Sequence, residues 1–166
     1  MLAPRRIAVV YRIIGLTEAL GAGWSVAVLI ALLLRTPGVA IPWSFLLVVL
    51  GAYSVVGIAG VRLVRYETGG DVLSMIVQGV QLFQITTRSV AFRFLAGPQV
   101  TIFFLGDHFR IFAGVTASAN LWRGLDDPPF GVGLNLVALA FMIALGGLPT
   151  PVGEGTSLNR SPTSIR

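Results

Sequence analysis

Cysteine and lysine are both absent from these 166 residues, and histidine occurs once. Without cysteine there are no disulfides, no thiolate metal sites, no thiol redox chemistry and no S-linked lipid. The lone histidine, His108, has only Asp107 beside it, whereas metal sites and histidine-based triads need several convergent groups. It reads as a surface residue next to a turn. No P-loop, GxSxG, HExxH or dinucleotide fingerprint occurs. The sequence therefore assigns no catalytic, cofactor-binding or metal-ligating residue, and any cofactor is unknown.

Charge is also scarce. Only 11% of residues are charged and 55% are apolar, with mean hydropathy +0.85, where an ordinary soluble domain is about 25% charged. That leaves too little polar surface to coat a water-soluble globule of this size, so lipid or a large apolar partner has to cover it. The net charge is +5, and all twelve basic residues are arginine. They are scattered at segment ends rather than clustered, which is the pattern of membrane-flanking charge and not of a nucleic-acid surface. The expected partners are membrane lipids and other integral membrane proteins, with no nucleic acid.

The expected fold is a mainly α, polytopic transmembrane bundle of three or four helices, a single domain over 1–148, with a small antiparallel β meander inserted before the last helix. Met1 to Arg6 resembles the start of a signal peptide, but the apolar stretch runs to Leu34, well past a signal core of about 7 to 15 residues. The first span, 13–34, is read as a permanent anchor and is stopped by Arg35, Pro37 and Gly38. Pro42 and Trp43 open a second span over 43–63, Pro at a helix start and Trp at the headgroup level. The short link makes the two an antiparallel hairpin. Asp71 is the expected N-cap of a third helix over 72–88, which either spans or lies along the membrane surface. Short Phe-, Val- and Ile-rich runs over 90–116, broken by Ala96-Gly97-Pro98 and Gly106-Asp107, predict the meander, with a Gly-Asp hairpin turn. Asp126 and Asp127 before Pro128 and Pro129 predict the cap of a last span over 130–148. The rest, 149–166, has no periodicity and is expected to be a disordered tail.

Arg5, Arg6 and Arg12 before the first span, with Arg62 and Arg65 after the second, outweigh Arg35 between them. The amino terminus is therefore expected to be cytoplasmic, in a bacterial inner membrane.

Two patterns stand out. Gly15, Ala19, Gly23, Ala27 and Ala31 place a small residue at every fourth position of span one, and Ala140 and Ala144 form a shorter version in span four. In lipid, such strips let backbones approach closely and supply packing energy, which makes this strip a candidate helix-packing interface. Glu18 lies beside it, where a carboxylate near the bilayer interior costs roughly 2.5 to 3.5 kcal/mol on insertion scales. Ser74, Gln78, Gln81, Gln84 and Arg88 recur at spacings of four, three, three and four, on one side of a helix. Glu18, Gln78, Gln81, Gln84, Arg88 and Asn135 form a candidate intramembrane polar site, read either as interhelical glue or as the lining of a hydrated path. The expected function is a non-enzymatic accessory or scaffolding subunit. The alternatives are a small transporter or channel component, and then a membrane enzyme acting on lipid.

Overall fold

The structure, a computed structural model, describes residues 4–35, 42–87, 90–105, 108–123 and 130–148. It is mostly helical, with four helices and a small antiparallel sheet. Helix α1 is Pro4–Arg35 and α2 is Trp43–Val64. These two are long and apolar enough to cross a membrane, at about 48 and 33 Å against ~30 Å of hydrocarbon. Pro42 precedes α2 with a fixed φ of −57°, as a residue without an N–H suits a helix start.

α1 and α2 pack backbone to backbone. The buried positions of α2 are Leu46, Val49, Tyr53, Val56, Ala59, Gly60 and Leu63, a three-and-four spacing that keeps one face turned inward. On α1 the matching face is Tyr11, Ile14, Gly15, Glu18, Gly21, Ala22 and Ser25. The crossing falls at Gly15 and Gly60, where a Cβ on either would meet the other's carbonyl oxygen at 2.5 Å. Hydrogen-bonded helices that touch in this way require glycine at the contact.

The turn after α2 holds Tyr66 at φ 57° and Gly69 at φ 79°. The Tyr66 hydroxyl donates to the Ala8 carbonyl at 2.8 Å, tying this turn to the start of α1. Gly69, not Asp71, is the N-cap of α3, Gly70–Leu82. Asp71 sits buried inside the first turn.

The expected helix over 72–88 does not continue past Leu82. Strand β1, Phe83–Thr86, follows directly, because Phe83, Ile85, Thr86 and Thr87 are aromatic or β-branched and favour extended backbone. Thirteen residues make about 20 Å of helix, too short to span by itself. The segment 130–148 is likewise split. Strand β4 is Gly131–Asn135 and helix α4 is Leu136–Gly147, about 18 Å long. The cap of α4 is Asn135, whose Oδ1 accepts from the Val137 N–H at 3.1 Å. Asp126 and Asp127, the expected cap, and the tail 149–166 lie outside the described residues.

Two long strands replace the meander of short runs. β2 is Val90–Leu105 and β3 is His108–Arg123, paired along their whole length from Val90↔Arg123 to Leu105↔His108. The sheet order is β1-β4-β2-β3, with β1 also pairing β2. The register requires β2 to fold back on itself. Thr86 pairs with Ala91 and with Gly131, and Gly131 pairs with Leu105. Three ladder spacings hold Ala91 within about 15 Å of Leu105, whereas fourteen straight strand residues would reach about 46 Å. The bend lies at Ala96-Gly97-Pro98, where Gly97 has φ 107°, a conformation open to glycine and strained for other residues. These residues were expected to separate two strands, and instead they crease one.

The crease docks on α1. A Cβ on Gly21 would meet the Ala96 carbonyl at 2.8 Å, and one on Gly97 would meet Gly21 Cα at 3.4 Å. Above this level, Phe94 stacks on Tyr53 with ring centroids 5.4 Å apart, in a cluster with Ala22, Val49, Val56 and Val77. Nearer the start of α1, Tyr11, Ile14, Leu63 and Leu145 form a second cluster.

Gly60→Ala is expected to lower unfolding stability by roughly 1–3 kcal/mol, because the added methyl forces the helices apart. Gly51→Ala, on the same helix with nothing within 4 Å, is expected to be neutral or slightly stabilising. Thermal unfolding in a fixed detergent checks the pair, and equal losses would show that the crossing is not the tight point.

Candidate functional site

Between the two apolar clusters lies a layer of buried polar side chains. Glu18 on α1 is buried, as are Ser74, Gln78 and Gln81 on α3, Gln84 on β1, Gln99 and Thr101 on β2 and Asn135 at the end of β4. The sequence places one polar residue per turn on α3, and at the switch to β1 the period changes from 3.6 to 2. Gln84 stays on the inner side because Phe83 and Ile85 point outward,.

Glu18 Oε1 accepts two hydrogen bonds from α3: one from the Ser74 hydroxyl, and one from Gln78 Nε2 at 2.7 Å. Further along, Gln81 Oε1 accepts from the Ala96 N–H at 3.1 Å and so satisfies a backbone donor at the crease of β2. Gln84 Nε2 donates to Thr101 Oγ1 at 3.1 Å, and Thr101 Oγ1 donates to Gln99 Oε1 at 3.2 Å. Asn135 pairs opposite Thr101 in the ladder. The layer is thus a polar column from the α1–α3 contact into the interior of the sheet.

Not every atom in it is satisfied. Glu18 Oε2, Gln81 Nε2 and Gln84 Oε1 in the layer, and Tyr11 Oη in the apolar cluster beside it, are buried with no hydrogen-bond partner among the described residues. Buried polar atoms in folded proteins are nearly always paired, so each such exception calls for a physical explanation. These four are spread over α1, α3 and β1 instead of converging on one point. Among the described residues no group of three or more His, Asp or Glu side chains is placed to hold a metal ion.

Of the residues singled out in the sequence, the fold brings Glu18 directly to Gln78 and sets Gln81, Gln84 and Asn135 along the same column. Arg88 lies outside the described residues. Sequence reasoning placed Ser74 only in the polar spacing and missed Gln99 and Thr101. Their signal was present as two polar residues at i and i+2 in a run of Phe, Val and Ile, the period of one strand face. His108 stands exposed at the start of β3.

The small-residue strip divides. Gly15 is buried and Ala19 half-buried against α2, but Gly23, Ala27 and Ala31 are exposed. A repeat of four advances 400° for every four residues and so drifts about 40° per step around a straight helix. By Ala31 the strip has turned about 160° from Gly15. It is therefore two surfaces, and only the first is used inside the chain. On α4, Ala144 packs against the cluster around Tyr11, while Ala140 is exposed.

Compared with known protein families, curated proteins and solved structures, the chain matches none.

Replacing Glu18 tests what the column contributes. Glu18→Gln keeps an oxygen to accept from Ser74 and Gln78 and is expected to change stability by less than about 1 kcal/mol. Glu18→Leu leaves two buried donors unpaired and is expected to cost roughly 2–4 kcal/mol. Denaturation midpoints of the two variants would check this, and a Leu variant as stable as the wild type would show that the bonds add nothing.

Proposed function

We propose that the protein is an integral membrane accessory or scaffolding subunit, non-enzymatic, which works by packing against other membrane proteins. The observation that carries this reading is an exposed face on the second half of α1 that no described residue covers. From Gly23 to Arg35 this face exposes Gly23, Ala27 and Ala31 together with Trp24, Ile30 and Leu34. Small residues on an exposed helix face give another helix close access to the backbone. A neighbouring groove of about 660 Å³ between α1 and the crease of β2, bordered by Gly23, Ala27, Gly97 and Pro98, extends the same face.

In this reading α1 and α2 are the full spans, and α3 and α4 are half-length helices that complete the bundle beside them. The arginines near the start of α1 and the end of α2 put that end in the cytoplasm, with a bacterial inner membrane as the host. The polar column then serves as interhelical glue, worth about 0.6 kcal/mol per contact on average.

A second reading rests on the four unpartnered buried atoms. A carboxylate oxygen, an amide oxygen and an amide N–H along the column, with the Tyr11 hydroxyl in the apolar cluster beside it, are suitable groups for passing a proton or a small cation, as a transporter component would.

Purification from native membranes in mild detergent is expected to yield a stoichiometric complex. Ala27→Trp, at an exposed position, is expected to disrupt that complex without lowering the unfolding temperature of the isolated protein. A clean monomer from native membranes would sink the packing role. If Glu18→Gln abolished ion flux in proteoliposomes while assembly stayed intact, the second reading would replace it.

A further inference from the structure

A groove of about 500 Å³ runs between the first half of α2, α3 and the start of β2. This is within the size range of small-molecule sites, about 300 to 1,000 Å³. Its walls include Phe45, Val48, Ala52, Val80 and Phe92, and among the described residues its single charged group is Arg93. Arg93 is half-buried, its Nε is buried with no hydrogen-bond partner, and it forms no ion pair among the described residues. Burial pushes the guanidinium pKa down from its usual value, yet an arginine keeps its charge in proteins. A cation has thus been set in a largely apolar wall with no matching anion among the described residues. The mouth of the groove reaches Pro42 and Ser44 at the start of α2, a helix end that no side chain caps and that carries partial positive charge.

We infer that this groove holds an acidic phospholipid, with one acyl chain along Phe45, Val48, Ala52 and Val80 and its phosphate on the Arg93 guanidinium. Charge complementarity selects the occupant: among the described residues the lining offers one cation, no carboxylate and, apart from Ser44, apolar side chains. A bidentate guanidinium–phosphate contact fits the fork geometry of arginine. The bilayer is the source, because the groove opens beside Trp43, Leu47 and Val48, all strongly exposed. This step rests on the membrane reading above and names the lipid that one face of the protein takes.

The test is lipid binding by native mass spectrometry of the full chain in detergent, titrated separately with dioleoyl phosphatidylglycerol, dioleoyl phosphatidylcholine and oleate. The wild type is expected to bind phosphatidylglycerol about tenfold more tightly than phosphatidylcholine. Arg93→Gln is expected to bring that ratio to about one. Val80→Trp fills the groove from an exposed position and is expected to weaken both lipids while the protein stays folded. If Arg93→Gln fails to fold, Arg93→Lys keeps the charge but loses the fork, and a reduced preference with that variant supports the same assignment. Equal affinity for the two lipids in the wild type, or a preference that survives Arg93→Gln, overturns it. Oleate bound through Arg93 in place of phosphatidylglycerol would also overturn it, in favour of a free carboxylate. Whether the protein stays monodisperse after detergent removal tests the bilayer reading separately, so either reading can fail without the other.

Discussion

The contact between Gly15 and Gly60 is the constraint on which the other packing depends. With no side chain between the two backbones, α1 and α2 lie closer than any larger residue would permit. That closeness places Glu18, the next inward position on α1, within reach of Ser74 and Gln78 on α3. Six residues beyond Gly15, Gly21 makes a second bare contact, this time with the crease of β2. One helix therefore uses two glycines to receive two different elements, and the polar layer falls between them.

The creased ribbon answers a problem set by short helices. α3 and α4 cover only about 20 Å each, leaving the other half of α1 and α2 without helical neighbours. The ribbon fills that half. Phe94, Leu95 and Ala96 enter the core there, and β1 and β4 carry the chain onward from α3 and back to α4. The Phe103 ring lies against Gly133, where a Cβ would overlap it, so this glycine of β4 makes room for an aromatic side chain of β2. Within the sheet Gln84, Thr101 and Gln99 are linked by hydrogen bonds, and Gln81 joins helix to strand through the Ala96 N–H.

The same economy leaves other surfaces unused. One face of the second half of α1, the outer face of β3 with Phe109, Ile111 and Val115 exposed, and the Arg93 groove are left open by the described residues. Exposed apolar area on this scale is characteristic of proteins that meet lipid or other proteins. A lipid phosphate on Arg93 and a helix on the Ala27 face would occupy separate surfaces, so one does not exclude the other.

Much of this was legible in the residues. The bounds of α2, the end of α1 at Arg35, their hairpin, the pairing of Leu105 with His108 and the burial of Glu18 all follow from local hydropathy, turn chemistry and the cost of a carboxylate among apolar side chains, whereas α1 begins at Pro4, well before the expected start at 13. Tertiary structure alone decided that the Ala96-Gly97-Pro98 crease bends one strand instead of parting two, and that Arg93 faces an apolar groove. It also split a small-residue strip that looked continuous, because a repeat of four drifts around a helix whose true period is 3.6. The physical reason is range. Periodicity and propensity act between near neighbours, while strand register, glycine contacts between helices and the surroundings of a charge are set by residues tens of positions apart.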